Sequence, residues 1–307
     1  MPADLSSAED VTDALAQVAY LADEGLATAT FLALELDRPL FLEGEPGVGK
    51  TSLALALAEV LGGELVRLQC YEGIDSTQAL YDWDFPRQLL HLRAAEASGI
   101  TDPAATEASL YDRRFLLARP VLRALESSTP EHRSVLLIDE IDRADDEFEA
   151  FLLEVLSDYA VTIPELGTVR AQTPPLVIVT SNRTRDVHDA LKRRCLYHWL
   201  DHPARAREVA ILRRRVPDLT PRLAEQVAYG AARLRGLGLV KPPGLAESLD
   251  WARSLQVLGA GEVTAETAAA SLGAVLKYRE DVETVTSHGL QHLQRAGPVQ
   301  RLSLIHI

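Results

Sequence analysis

The sequence predicts an α/β fold: a three-layer domain on a parallel sheet, followed by a C-terminal all-helical domain. Two observations predict it. Short apolar runs alternate with helical patterns up to His202. After His202-Pro203 only helical periodicity remains, to about residue 296.

The apolar runs are "PLFLE" (39–43), "LVRLQ" (65–69), "SVLLID" (134–139), "PLVIVTS" (175–181) and "LYHWL" (196–200). Most are continuous rather than alternating, as strands buried on both faces of a parallel sheet are. Residues 8–36 read as one helix, with Val11, Leu15, Val18, Leu21 and Leu26 on one face. Helices are also expected over 51–61 and 145–158. Beyond 204 the helical pattern breaks at Pro217, at Pro221 and in "GLGLVKPPG" (236–244). The expected domains are therefore 1–202 and 203–296. The tail 297–307 ends in "RLSLIHI", which continues no helical pattern. It reads as a short strand, a disordered end or non-native sequence.

Composition narrows the class. The chain has 307 residues, 47% hydrophobic and 25% charged, which is ordinary for a globular protein. Its formal net charge of −14 argues against tight nonspecific binding to DNA or to an anionic membrane surface. The start, "MPADLSSAED", is acidic and carries no apolar signal core. No apolar run reaches the ~18 residues that span a bilayer. Cys70 and Cys195 have no metal-ligand spacing and fit a reducing compartment. The expectation is a soluble cytoplasmic protein.

The first motif is Gly44-Glu45-Pro46-Gly47-Val48-Gly49-Lys50-Thr51, followed by Ser52. An apolar strand precedes it and "TSLALALAEVL" follows, the strand-loop-helix context that a phosphate-binding loop requires. Glycines let backbone N–H groups approach phosphate oxygens, and the helix N-terminus adds partial positive charge. Lys50 is expected to bridge the β- and γ-phosphates, and Thr51 to place its hydroxyl on Mg²⁺. Gly44 to Ser52 form the expected nucleotide-binding stretch.

Hydrolysis needs a metal carboxylate and a base. "SVLLIDEID" ends an apolar strand in Asp139-Glu140, at the carboxyl edge where open α/β sheets bind ligands. Asp139 is expected beside Mg²⁺, and Glu140 as the base that activates water. Asp142, Asp145 and Asp146 are expected on a solvated helix start, capping it. Asn182, at the tip of "PLVIVTSN", is expected to help hold the attacking water. Lys192, Arg193 and Arg194 precede the last strand; Arg194, or else Arg193, reads as a finger for a neighbouring subunit's γ-phosphate.

Other features weigh less. Tyr71, Tyr81, Trp83 and Phe85 lie among Asp75, Asp82 and Asp84, as either a client-facing loop or a surface segment that packs down its own aromatics. His288 and His292 have i, i+4 spacing, more often a solvated pair than a metal site. Arg205, Arg207, Arg213, Arg214 and Arg215 read as one charged helix face. Cys195 reads as core packing.

With these pieces in order, the chain resembles an AAA+ ATPase over 39–200. That class is a P-loop NTPase with a helical lid domain. The resemblance is closer to the MoxR family, through "GEPGVGKT", "LLIDEIDRADDEFEAFLLEVLSD" and "YAVTIPELGTVRAQTPPLVIVTSN". The last segment looks like that family's hairpin ahead of sensor 1. "YEGIDSTQALYDWDFPRQLL", "RRCLYHWLDHP" and "KPPGLAESLDWA" look like the CoxD-like branch, linked to maturation of molybdenum-containing carbon monoxide dehydrogenase. The resemblance implies Gly44 to Thr51 as Walker A, Asp139 and Glu140 as Walker B, Asn182 as sensor 1, and Arg193 or Arg194 as the finger. It implies ATP and Mg²⁺ as cofactors, and a homo-oligomeric, usually hexameric, ring. It further implies a metalloenzyme client and a partner with a von Willebrand factor A domain. One departure stands out: "LVKPPGLAESLDWARSL" has no arginine at the helix start, where a sensor-2 residue is common; Lys241 and Arg253 are the nearby cations. Two other readings of the same fold are a nucleic-acid motor or loader, and a nucleotide-gated regulatory scaffold with little turnover. The acidic 71–90 segment disfavours the first.

Overall fold

A computed structural model describes residues 5–97 and 108–293. The expected tail 297–307 lies outside the described residues. The chain forms two compact units: residues up to Gly44 with Lys50–Leu200, and Glu45–Gly49 with the residues from Asp201 onward.

The first unit starts with α1 (Ala8–Gln17) and α2 (Glu24–Glu35). The single helix expected over 8–36 is thus two. Ala19 takes a left-handed conformation (φ 60°) that ends the first, and the Asp23 carboxylate accepts from the Leu26 N–H at 2.7 Å to start the second. Apolar periodicity runs through Val18 and Leu21 and hides this break.

Five strands follow in the main sheet: β1 (Leu40–Gly44), β2 (Leu65–Gln69), then β5 (Val135–Asp139), β8 (Leu176–Ser181) and β9 (Leu196–Leu200). They lie in the order β2-β5-β8-β1-β9, and every pairing is parallel. β1, β5 and β8 are buried along their whole length, as their continuous apolar sequence predicts. β2 lies at an edge and alternates, leaving Arg67 exposed. The helices α3 (Lys50–Leu61) and α6 (Pro120–Ser127) pack on this sheet, and α7 (Asp146–Asp158) joins the same core. Phe41, Ile138 and Val179 share a core with Leu122 of α6 and Leu152 of α7. Leu40, Leu42 and Leu137 alternate with them along their strands and so point to the opposite face.

Two excursions leave the sheet. Between β2 and β5 run the short helix α4 (Ser76–Ala79), the strand β3 (Tyr81–Trp83), α5 (Phe85–Ala97) and β4 (Leu116–Ala118), which pairs antiparallel with β3. Tyr81 and Trp83 pack against the core, as one of the two expectations for this segment has it, whereas Phe85 is 65% exposed. Between α7 and β8, strands β6 (Ala160–Ile163) and β7 (Gly167–Arg170) form an antiparallel hairpin. A short helix, α8 (Asp189–Arg194), leads into β9.

The second unit carries α9 (Arg205–Arg215), α10 (Pro221–Arg235), α11 (Leu245–Val257), α12 (Ala265–Val275) and α13 (Arg279–His288). Pro221 opens a helix rather than only ending one, behind a Thr220 cap. Trp251 is fully buried, and its indole N–H donates to Ser271 Oγ at 2.8 Å. Gly230 is required by that ring, because a Cβ there would lie 2.7 Å from it. Asp281, 1% exposed, fixes the 236–244 loop by accepting from the Val240 and Lys241 N–H groups at 2.7 and 3.1 Å.

Candidate nucleotide site

The carboxyl edge of the sheet collects Thr51, Asp139, Glu140 and Asn182. β5 is wholly apolar until its last residue, so its end delivers Asp139 and then Glu140 to that edge. Asp139 is 4% exposed. Thr51 Oγ1, at the start of α3, lies 3.3 Å from both Asp139 carboxylate oxygens, and Thr180 Oγ1 donates to Oδ1 at 2.5 Å. A hydroxyl and a carboxylate side by side are the hard oxygen donors that suit Mg²⁺, which keeps several waters and few protein ligands.

Glu140 has a left-handed backbone (φ 57°, ψ 52°), sparsely populated for a residue with a long side chain. Its N–H donates to Thr180 Oγ1 at 3.0 Å. Three side chains meet its carboxylate: Asn182 Nδ2 at 3.3 Å, Gln69 Nε2 at 3.0 Å and Arg143 at 3.2 Å. The structure thus brings Asn182 to Glu140, although 42 positions separate them.

Asp142 does not lie on a solvated helix start, as its sequence suggested. It is 2% exposed and accepts from the Asn182 N–H (3.2 Å), the Thr184 N–H (2.9 Å) and Thr184 Oγ1 (2.6 Å). Burial works to raise its pKa, but these bonds outweigh it and hold the carboxyl below its ordinary value. Glu149, 1% exposed, accepts from the His188 N–H at 2.8 Å and pairs with Arg185. Asp145 is the helix cap that was expected, accepting from the Phe148 N–H at 2.9 Å.

In the phosphate loop, Gly47 and Gly49 have φ of 80° and 106°, so both need glycine for backbone conformation. Gly44 is required for another reason: a Cβ there would lie 2.3 Å from the Leu200 carbonyl oxygen, where β1 runs beside β9. Lys50 is 7% exposed and donates to the Gly44 carbonyl at 2.6 Å. Within the second unit, the Gly47 carbonyl accepts from the Leu245 and Ala246 N–H groups at 3.0 and 3.3 Å, at the start of α11. Of the two cations weighed for the sensor-2 position, Lys241 gives its backbone N–H to Asp281, and Arg253 pairs with Asp250 at 3.4 Å. Arg235, unremarked in the sequence, donates to the Pro243 carbonyl and both Glu208 oxygens at 2.7–2.8 Å.

Arg193 and Arg194 are not brought to Glu140. They precede β9, whose first residue pairs with Leu40 at the amino edge of β1. The carboxylates stand at the opposite edge. Both arginines are exposed and line a cleft of about 430 Å³ with Arg38 and Tyr159. Arg38 holds this corner, donating to the carbonyls of Arg193 and Arg194 at 2.8 and 3.1 Å.

Arg38, Arg67, Gln69 and Arg143 were missed by sequence reasoning. For Arg67 and Gln69 a signal existed: two polar residues two apart in an apolar run, at a strand end. His288 and His292 do not share a helix, since α13 ends at His288 and Gly289 turns with φ 85°. Both cysteines are buried; desolvation pushes each thiol up to about 12.

A parallel sheet whose first strand leads through a glycine loop into a helix, with acids at the tip of β5, one strand beyond the neighbouring β8, defines a P-loop nucleoside triphosphatase. Residues 39–195, just over half the chain, match the AAA domain family (dynein-related subfamily), and the chain belongs to that family. Midasin of Giardia intestinalis is 36% identical over 111 residues, covering 36% of this chain; the chain spans only 2% of that protein's length. The solved structure of the Thermotoga maritima RuvB Holliday junction branch migration motor is 17% identical, covering 89% of this chain and 72% of that one, with a TM-score of 0.44. A proline-to-glycine mutant of the same protein gives 17% identity, 87% and 70% coverage, and a TM-score of 0.47. No described helix is long and apolar enough to cross a membrane.

Proposed function

We propose that this chain hydrolyses ATP with Mg²⁺ in a homo-oligomeric ring and uses the cycle to remodel a partner protein in the cytoplasm. The observation that carries this reading is the meeting of Asn182 and Glu140 at 3.3 Å, beside Asp139 and Thr51. Gly44 to Ser52 hold the phosphates, with Lys50 as the cation at the β- and γ-groups. Thr51 and Asp139 would hold the metal, which when bound neutralises charge on the transferred phosphate. Glu140 takes a proton from the attacking water, and Asn182 keeps that carboxylate and the water aligned. Arg193 and Arg194, exposed at the far edge of the sheet, fit a role on the nucleotide of a neighbouring copy rather than their own. The resemblance to the MoxR family and its CoxD-like branch supports a hexameric ring, a metalloenzyme client and a von Willebrand factor A domain partner.

The test is ATP turnover per subunit with Mg²⁺ across protein concentration. Turnover should rise with concentration. Glu140→Gln should keep nucleotide binding and lose at least about a hundredfold in rate; Arg194→Ala should lose rate without losing affinity. Wild-type turnover in Glu140→Gln would remove Glu140 as the base, and a flat concentration response would remove the finger acting between subunits.

A further inference from the structure

Asp139 and Glu140 place two carboxylates together at one strand tip, and a cation already stands there. Nη2 of Arg67 lies 2.6 Å from Asp139 Oδ2 and 2.5 Å from Gln69 Oε1. Gln69 in turn donates to Glu140 Oε2 at 3.0 Å. One guanidinium nitrogen therefore touches the metal carboxylate and the amide that touches the base.

We propose that Arg67 is a placeholder cation: it neutralises Asp139 in the metal-free protein and is displaced when Mg²⁺ arrives. This rests on the reading of Thr51 and Asp139 as the metal residues. Three facts support it. Asp139 is almost fully buried, and a buried carboxylate without a counter-charge is costly. Thr51 and Thr180 give it hydroxyl contacts but no charge. Arg67 sits on the edge strand with its side chain 53% exposed, so it can swing into water at little cost. Arg67 and Thr51 both meet Asp139 Oδ2, so a guanidinium there and a divalent ion held between Thr51 and Asp139 compete for that oxygen. Because the same nitrogen also holds Gln69, arrival of the metal is felt one contact away from Glu140.

The test compares ADP affinity of the full chain with Mg²⁺ and with EDTA, so no turnover is involved. Wild type and Arg67→Lys, which keeps the charge, should show the same enhancement of binding by Mg²⁺. Arg67→Met should enlarge that enhancement by about three- to tenfold, since no ion pair has to be broken. Mg²⁺ alone should also raise the melting temperature of Arg67→Met by more than that of wild type. Arg67→Gln carries the same expectation should the methionine variant aggregate. An enhancement that is unchanged or smaller without the arginine overturns the placeholder, and a smaller one makes Arg67 a support of the metal site. A wild-type chain that binds no ADP overturns the site itself.

Discussion

Asp142 accepts two hydrogen bonds from Thr184, one from its N–H at 2.9 Å and one from its hydroxyl at 2.6 Å. With the Asn182 N–H as third donor, one buried carboxylate shapes the turn that aims Asn182 at Glu140. Asp142→Ala leaves these donors without their acceptor. It should lower stability by about 2–4 kcal/mol in urea unfolding and reduce turnover more than it reduces nucleotide affinity. Because the folded pKa is depressed, this contribution is present above the ordinary carboxylate value near 3.8 and is lost as pH falls through the lower folded value. Acid unfolding of Asp142→Asn should therefore be less pH-dependent there than that of wild type.

Arg38 caps the carbonyls at the end of α8, the helix that ends in Arg193 and Arg194. Arg38→Ala should loosen that end without touching the nucleotide residues. The expected result is a roughly tenfold loss of turnover with nucleotide affinity unchanged, because a misplaced group costs rate steeply. Equal losses in Arg38→Ala and Arg194→Ala, with no further loss in the double variant, would show the two act as one unit.

Gly44→Ala tests a packing role inside a phosphate motif. A Cβ 2.3 Å from the Leu200 carbonyl forces β1 and β9 apart. The variant should lose about 3 kcal/mol or more of stability in the absence of any nucleotide, as an overpacked core position does. Full stability with weakened binding alone would return Gly44 to a purely phosphate role.

Cys70 lies at the end of β2, and burial first, then the charges of Asp139, Asp142 and Glu140, push its thiol up to about 12. Neither Cys70 nor Cys195 should react with a disulfide reagent at pH 8 until the chain unfolds. An acid whose folded pKa is raised stabilises the fold below its unfolded pKa. Stability should therefore decline as pH rises from about 9 toward about 12, and Cys70→Ala should flatten that decline.

Much of the fold was legible because its signals are local. The five runs of the main sheet became its five strands, since a strand buried on both faces must be apolar at every position. The break between α1 and α2 escaped because it depends on one capping aspartate and one left-handed alanine, not on hydropathy. Glu140 and Asn182 could be singled out because each follows directly on an apolar strand.

The sequence by itself determined the parallel α/β class, the phosphate loop and the acids at the end of β5, because spacing along one strand-loop-helix unit marks the first two and an abrupt change from apolar to acidic marks the third. Only the tertiary structure decided which residues meet across strands. Asp142 turned out to be buried beneath the 182–184 turn, Arg67 to reach across from β2 to Asp139, and Arg193 and Arg194 to lie at the opposite edge of the sheet. The reason is that these relations follow from strand order and register, which place residues tens of positions apart side by side and carry no mark in the local sequence.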